Sequence, residues 1–444
     1  MSELIVSVSG LRGIVGDTLT PEVAVRYGCA FASTLPDGPV VIAHDGRTTG
    51  RMLVDSVSEG LVQAGRNVID ADVAATPTTG VLVRSTGAVG GIQVSASHNP
   101  PEYNGLKLMG SDGRVISADE GEEVKSRWRD MHRAKVPPER IGKVQVCEDT
   151  TAEHWRLIAD IVDVPRIRAR TFRVLLDANH GSGSVLGRRV LDELGCQVEV
   201  LGSRPDGVFE HPPEPTAANL ADVRSHVTAA KADVGFCQDP DADRLAVIDE
   251  TGRYIGEEYT LAICVDHVLC QRKGPVVTNC STSRMSQDVA ARHGVPFFPA
   301  AVGEANVTDV MIRERAVIGG EGNGGVIDPR VGYVRDSFVG IALLLDAMAA
   351  RGEKISELAD QLPQYSMLKT KIPLQPDRLL ASFDALEKHF SDATADRLDG
   401  LRLDWPDKWL LVRPSNTEPI ARIIAEAVTA EDAERLCHEA AGAI

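Results

Sequence analysis

The stretch Asp239-Pro-Asp241-Ala-Asp243-Arg244 places three carboxylates at every second position and closes them with an arginine. Before it runs Ala232-Asp-Val-Gly-Phe-Cys-Gln238, with an apolar Val-Gly-Phe-Cys centre, and after it comes Leu245-Ala-Val-Ile248. Two strand-like runs joined by a Pro-containing acidic loop aim all three aspartates at one small volume. Carboxylates that close repel one another and raise their own pKa values unless a cation sits among them. A hard divalent ion with oxygen ligands, Mg²⁺ before Ca²⁺, is the simplest occupant. A solvated acidic turn is the ordinary reading of an Asp-rich loop, but such turns seldom separate two buried strands. The spacing nearly fits an EF-hand, with Glu250 at the twelfth position. That reading fails on Arg244, where the loop needs Gly, and on flanks that are strand-like rather than helical.

The same device recurs along the chain. A short apolar strand leads into a polar or Gly-rich loop at Gly91…Ser97-His-Asn-Pro100, at Asp233…Asp243 and at Ala316…Gly320-Glu-Gly-Asn-Gly-Gly325. In open α/β sheets ligands bind beyond the carboxyl ends of strands, so three such loops can face one cleft. Further strands are expected at Pro39–Ala43, Phe172–Leu176, Gln197–Leu201, Ala246–Ile248 and Pro275–Thr278. Helices are expected at Pro21–Thr34, Met52–Ala64, Asp119–Arg133, Gly183–Leu194, Glu257–Gln271 and Asp336–Ala350. This alternation is the mark of α/β layers. Breaks at Lys135–Pro138, Asp249–Gly252 and Leu362–Tyr365 suggest domains at 1–137, 138–252, 253–366 and 367–444, the last a small α+β unit.

Ser97 beside His98 invites a hydrolase reading, but the flanks are Ser95 and Asn99 rather than the glycines of a nucleophile elbow. Taken alone the string is an Asn/Ser turn. Beside the acidic loop it gains a meaning: a phosphate on Ser97 would bring about −1.5 to −2 charge and hard oxygens that complete a Mg²⁺ site. Arg413-Pro-Ser415-Asn416-Thr417-Glu-Pro419 combines an arginine fork, two hydroxyls and turn amides, a set that suits a dianionic phosphate. Glu321 and Asn323 offer a carboxylate and an amide to vicinal hydroxyls of a polyol or sugar. Leu176-Asp-Ala-Asn-His-Gly-Ser-Gly-Ser184 lacks the spacing of a nucleotide loop and reads as a strand-to-helix turn capped by Ser182 or Ser184.

Composition narrows the field. The 444 residues exceed one compact core, and 43% apolar with 25% charged residues is ordinary for a globular protein. A net charge of −17 argues against nucleic acid and anionic membranes, and 4% aromatic residues against base stacking. Eight scattered cysteines without a Cys-x-x-Cys pair read as reduced thiols, which with no signal peptide or spanning stretch places the protein in the cytoplasm. An acidic protein that binds anions must gather positive charge locally.

In this order and spacing, Ser97-His-Asn-Pro, Asp239-Pro-Asp-Ala-Asp-Arg, Gly320-Glu-Gly-Asn-Gly and Arg413-Pro-Ser-Asn-Thr-Glu-Pro resemble the α-D-phosphohexomutase superfamily over essentially the whole chain. The resemblance implies three related α/β domains of mixed sheets and a smaller C-terminal α+β lid around a central cleft. It implies that Ser97 is a phosphoserine and that Asp239, Asp241 and Asp243 bind one Mg²⁺ together with its phosphate. Glu321 and Asn323 fall in the implied sugar loop, and Arg413, Ser415, Asn416 and Thr417 in the loop for the non-transferring phosphate. Lys107, in Asn104-Gly-Leu-Lys107, matches the implied general base, to be activated by positive neighbours. Arg12, in Ser9-Gly-Leu-Arg-Gly13, falls near the phosphoserine, and His98 and Arg244 beside the transferring group. Departures from the commoner pattern are Asn323 and Gly325 in place of Ser and His, Pro240 and Ala242 in place of Gly, and Glu304 beside Gly303 in Val302-Gly-Glu-Ala-Asn-Val307. They resemble the phosphoglucosamine mutase branch. The implied reaction interconverts hexose 6- and 1-phosphates through a hexose 1,6-bisphosphate. Glucosamine is the favoured sugar, mannose or glucose the alternative, and monomer and homodimer both stay open. A metal-dependent phosphatase or kinase and a non-catalytic phosphosugar-binding protein are the rival classes.

Overall fold

The computed structural model describes residues 4–130, 136–374, 378–414 and 420–444, arranged around four sheets. The first holds β1 (Ile5–Ser7), β2 (Gly10–Ile14), β3 (Val40–His44), β4 (Val68–Val73), β5 (Gly90–Val94), β6 (Tyr103–Gly110) and β7 (Val144–Val146), in the order β1-β2-β6-β5-β3-β4-β7. The second holds β8 (Arg173–Asp177), β9 (Gln197–Leu201), β10 (Val234–Gln238) and β11 (Leu245–Asp249), in the order β11-β10-β8-β9. The third holds β12 (Val276–Asn279), β13 (Phe297–Ala300), β14 (Ile318–Glu321) and β15 (Gly325–Ile327), in the order β13-β12-β14-β15.

One topology underlies all three. In each, the first and second strands pair in parallel, the third pairs in parallel on the first's other side, and the fourth turns back antiparallel to the third. The set β3, β4, β5 and β6 repeats that arrangement inside the first sheet, which adds β1 and β2 beyond β6 and β7 beyond β4. β7 therefore carries the first sheet past residue 137, to Val146. The three repeats leave the Ser97, Asp239–Asp243 and Glu321–Gly324 loops in one position, the turn from third to fourth strand. The fourth sheet is wholly antiparallel, with β16 (Ser366–Pro373), β17 (Thr394–Asp396), β18 (Leu401–Asp404), β19 (Trp409–Pro414) and β20 (Ile420–Ala427) in the order β16-β20-β19-β18-β17.

Local chemistry explains the helices that cover the sheets. Pro21–Thr34 starts at Thr20, whose hydroxyl accepts from the Val23 amide, with Pro21 in the first turn, where its missing N–H is harmless. The helix Ala118–Arg129 opens on a Ser117/Glu120 capping box. Glu257–Gln271 and Ser337–Arg351 are apolar nearly all round and lie in a core shared by the second and third repeats, as such helices must. Ser182 departs from its expected capping role. Its hydroxyl donates to Pro240 O at 2.9 Å, and its amide to the same carbonyl at 2.9 Å, so this turn braces the back of the acidic loop.

Polar contacts join the repeats. His154, fully buried, meets Thr78 Oγ1 at 3.0 Å and Asp336 Oδ2 at 2.7 Å, which ties all three together. Arg114 reaches Asp309 at 2.8 Å between the first and third. No helix among the described residues is long and apolar enough to cross a membrane.

Candidate active site

The four units close on a cleft of about 700 Å³ to which Arg12, Ser97, Arg244, Glu321, Arg413 and Arg422 all contribute. In a chain of net charge −17 this is the local gathering of cations that anion binding requires.

Ser97 follows β5 with φ +50°, a left-handed conformation that a non-glycine residue keeps only when its surroundings hold it. The hold is visible. The Ser97 amide donates to Ser95 Oγ at 2.8 Å, and Ser95 donates to Asp45 Oδ2 at 2.6 Å. Arg47 donates to the carbonyls of Ser97 and Asn99 at 2.6 Å each, Pro100 at 2.8 Å and Tyr103 at 3.2 Å. Its guanidinium also lies 5.0 Å from the Phe209 ring of the second repeat. Arg12 Nη1 donates to Asn99 Oδ1 at 2.7 Å. The Ser97 hydroxyl, thus aimed, donates to Asp239 Oδ2 at 2.9 Å and lies 3.2 Å from His98 Nδ1.

Asp239, Asp241 and Asp243 are fully buried, and one oxygen from each lies within 4.8 Å of the others. Ala242 turns the loop at φ +53°, where glycine would be unstrained. Asp239 Oδ1 accepts from the Arg244 amide at 3.1 Å. Asp241 Oδ2 accepts from Thr76 Oγ1 at 2.5 Å and Lys107 Nζ at 2.9 Å. Asp243 Oδ2 accepts from Lys107 Nζ at 3.0 Å and Arg335 Nη2 at 2.7 Å. Asp241 Oδ1 and Asp243 Oδ1 have no hydrogen-bond partner among the described residues, although both are buried. Two oxygens without hydrogen bonds, one of them 3.8 Å from Arg244 Nε, beside a third carboxylate form an all-oxygen donor set, and it fits a hard divalent cation. Burial, and then the charges of Asp241 and Asp243, push Asp239 well above the usual carboxylate range. Burial pushes Asp241 the same way, but Lys107 and the Thr76 hydroxyl more than offset it and hold Asp241 low.

The neighbouring bases differ from expectation in one respect. Burial lowers Lys107, yet Asp241, Asp243 and Glu304 outweigh it and raise the ammonium above its usual range. Lys107 keeps its proton here because these carboxylates outweigh Arg335, the kind of positive neighbour expected to lower it. Burial, and then Arg244 and Arg12, lower His98 to about 3, so its imidazole is neutral beside the Ser97 hydroxyl.

Glu321, at the end of β14, accepts from Asn279 Nδ2 at 2.7 Å and the Gly303 amide at 3.2 Å, and pairs with Arg335 at 2.9 Å. Asn323 lies 3.4 Å from Glu321 Oε2. Gly303, at φ +121°, opens the helix that begins with Glu304, and Glu304 Oε2 accepts from Arg335 Nε at 2.7 Å. Glu304 Oε1 has no partner among the described residues, and burial raises its carboxyl. Arg413 sits on β19, paired with Asp399 at 3.2 Å, and Asp399 also accepts from the Val302 amide at 2.9 Å, which links the fourth unit to the third. Ser415, Asn416 and Thr417 lie outside the described residues. Asp45, Arg47, Thr76 and Arg335 were not anticipated. Asp45 and Arg47 follow the apolar strand β3, so the strand-then-polar-loop signal applied to them; Thr76 and Arg335 carry no such mark.

Three repeated α/β units and an antiparallel fourth, closing on a cleft where a hydroxyl meets three buried carboxylates, define a phosphohexomutase class of enzyme. Profiles described as phosphoglucomutase/phosphomannomutase alpha/beta/alpha domains I, II and III match residues 4–133, 152–252 and 257–365, and the C-terminal domain matches 371–443. A protein of Thermococcus kodakarensis named phosphoglucomutase/phosphomannomutase is 38% identical, covering 96% of this chain and 94% of its own. One of Pyrococcus horikoshii named "probable phosphoglucosamine mutase" is 34% identical, covering 97% and 96%. The crystal structure of a phosphoglucomutase/phosphomannomutase family protein from Burkholderia thailandensis superposes with TM-score 0.83 at 28% identity, covering 99% of this chain and 97% of that one. The chain belongs to the phosphoglucomutase/phosphomannomutase family.

Proposed function

We propose that the enzyme interconverts hexose 6-phosphate and hexose 1-phosphate by way of a phosphate carried on Ser97, with glucosamine 6-phosphate as the preferred substrate. The observation that carries the mechanism is the Ser97 hydroxyl, 2.9 Å from a carboxylate of a buried triad in which two oxygens accept no hydrogen bond from the described residues. Asp239, Asp241 and Asp243 would hold Mg²⁺, which when bound offsets charge on a transferring phosphoryl group. In the forward step the bond from phosphorus to Ser97 Oγ breaks and one to a sugar hydroxyl forms. Ser97 takes up a proton and the hydroxyl releases one. The resulting hexose 1,6-bisphosphate turns end for end and returns its other phosphate to Ser97. Arg12 and Arg244 flank the transferring group, and His98 lies beside the freed Ser97 hydroxyl. Lys107, protonated in its present surroundings, suits return of a proton; service as a base requires the aspartate charges to be offset first. Arg413, with Ser415, Asn416 and Thr417, would grip whichever phosphate is not reacting.

Support for glucosamine comes from charge. Glu258, Glu304 and Glu321 all line the cleft. Burial raises Glu258 to about 8 against the pull of Lys369, 3.9 Å from its Oε1, and Glu258 Oε1 and Glu304 Oε1 accept no hydrogen bond from the described residues. An ammonium on the sugar can donate hydrogen bonds to those two oxygens. The 38% identical relative named phosphoglucomutase/phosphomannomutase favours the second reading, a mannose or glucose substrate. The test compares kcat/KM for glucosamine, glucose and mannose 6-phosphates, each primed with its own bisphosphate and Mg²⁺. Glucosamine should lead by about 10-fold or more. Parity, or a lead for glucose or mannose, contradicts the sugar reading and leaves the chemistry standing.

A further inference from the structure

Arg335 stands between the acidic loop and the Gly-rich loop, and nothing in its immediate sequence marks it. Its neighbour Asp336 caps the helix Ser337–Arg351, accepting from the Phe338 and Val339 amides at 2.9 and 3.1 Å. Asp336 is itself gripped by His154 at 2.7 Å, and His154 by Thr78, so the backbone from which Arg335 projects is fixed by all three repeats. The guanidinium then meets three carboxylates at once. Nη2 donates to Asp243 Oδ2 at 2.7 Å, Nε to Glu304 Oε2 at 2.7 Å, and Nη1 lies 2.9 Å from Glu321 Oε2. A planar fork with that many fixed partners has little freedom left.

Room for the fork comes from Gly325, which stands opposite Glu321 in the β14–β15 pairing. A Cβ at 325 would lie 2.4 Å from Arg335 Cδ and 2.8 Å from its Cγ, contacts in the middle of the side chain that no swing of its tip relieves. The missing side chain at 325 and the arginine at 335 are therefore two halves of one arrangement.

We propose that Arg335 is a positioning residue that sets the separation of the two loops. By holding Asp243 and Glu321 on one guanidinium, it keeps a sugar hydroxyl at Glu321 and a phosphoryl group at the aspartates in one register for both orientations of the sugar. This rests on the reading of Glu321 as a sugar acceptor and of the aspartates as Mg²⁺ ligands. A cation that merely balanced buried charge would do its work equally well as lysine. A spacer would not, because an ammonium cannot bridge the partners that the fork spans.

The test uses the full-length enzyme carrying Arg335→Lys. The expected result is a loss on the order of 100-fold in kcat/KM, as for a small misplacement of reacting groups. KM for the sugar phosphate and the calorimetric Kd for Mg²⁺ alone should both rise several-fold, with the circular dichroism of the parent retained. Either constant unchanged overturns the proposal. Gly325→Ala supplies an independent arm, since its methyl group displaces Arg335 without altering charge. It should reproduce both shifts in the parent and add less than about twofold in an Arg335→Ala background. Full additivity in that cycle overturns the proposal even where Arg335→Lys folds poorly. A parent enzyme without isomerase activity, or with no Mg²⁺ requirement, sinks the underlying reading instead, so the two failures are distinct.

Discussion

Ser97→Ala will turn over hexose phosphate at least about 10⁴-fold more slowly than the parent, on the scale seen when a nucleophile is removed. The alanine deletes the one oxygen on which the account places the phosphate, and added hexose 1,6-bisphosphate will not rescue it, having nowhere to leave a phosphoryl group. The fold should survive. Position 97 already carries a non-glycine residue at φ +50°, and Arg47 and Ser95 hold the backbone through groups that alanine keeps. Asp239 loses a hydroxyl but retains the Arg244 amide at 3.1 Å. Matching circular dichroism, beside absent turnover, is therefore expected. Turnover near that of the parent would remove Ser97 from the chemistry.

Asp239→Asn should have the second largest effect, about a 10³-fold loss in kcat/KM, as several kcal/mol of charge stabilisation at phosphorus disappears. Chelation of the parent should abolish activity, and Mg²⁺ should restore it in the parent but not in the variant. Stability should move the other way. Without metal, Asp239 is buried against the charges of Asp241 and Asp243, which is why its carboxyl is pushed up so strongly. A neutral amide removes one of these repelling groups, so the chelated variant should melt no lower than the chelated parent. A marked fall in Tm would mean that the triad is a structural network rather than a metal site.

Sequence exposed the parts of this molecule whose side chains act locally. Pro21–Thr34, Gln197–Leu201 and Glu257–Gln271 lie where the apolar pattern puts them. The Asp239 loop was legible because carboxylates at alternate positions between apolar strands have few other uses. β2 and β6 were harder to read, since Gly10-Leu-Arg-Gly-Ile14 and Tyr103-Asn-Gly-Leu-Lys107 are Gly-rich and mixed in polarity and become strands through pairing with each other and with β1 and β5. Arg47 and Arg335 act across 50 and 92 residues, on the Ser97 carbonyl and on Asp243, and no local pattern predicts such contacts. Lys107 shows the same limit in its charge. Its basicity follows from which groups surround it, and those come from the other two repeats. Ser182 fits a helix cap by residue type, yet its hydroxyl is taken by Pro240, 58 residues away.

The central claim is that phosphate passes through Ser97, and isotope transfer tests it most directly. Enzyme labelled with radioactive phosphorus from hexose bisphosphate is digested, the labelled peptide identified, and a second sample chased with unlabelled hexose 6-phosphate. The account predicts label on the peptide containing Ser97 and its loss into hexose phosphates within about one turnover. Label that stays on Ser97 through many turnovers, or full isomerisation with no label on that peptide, would contradict it.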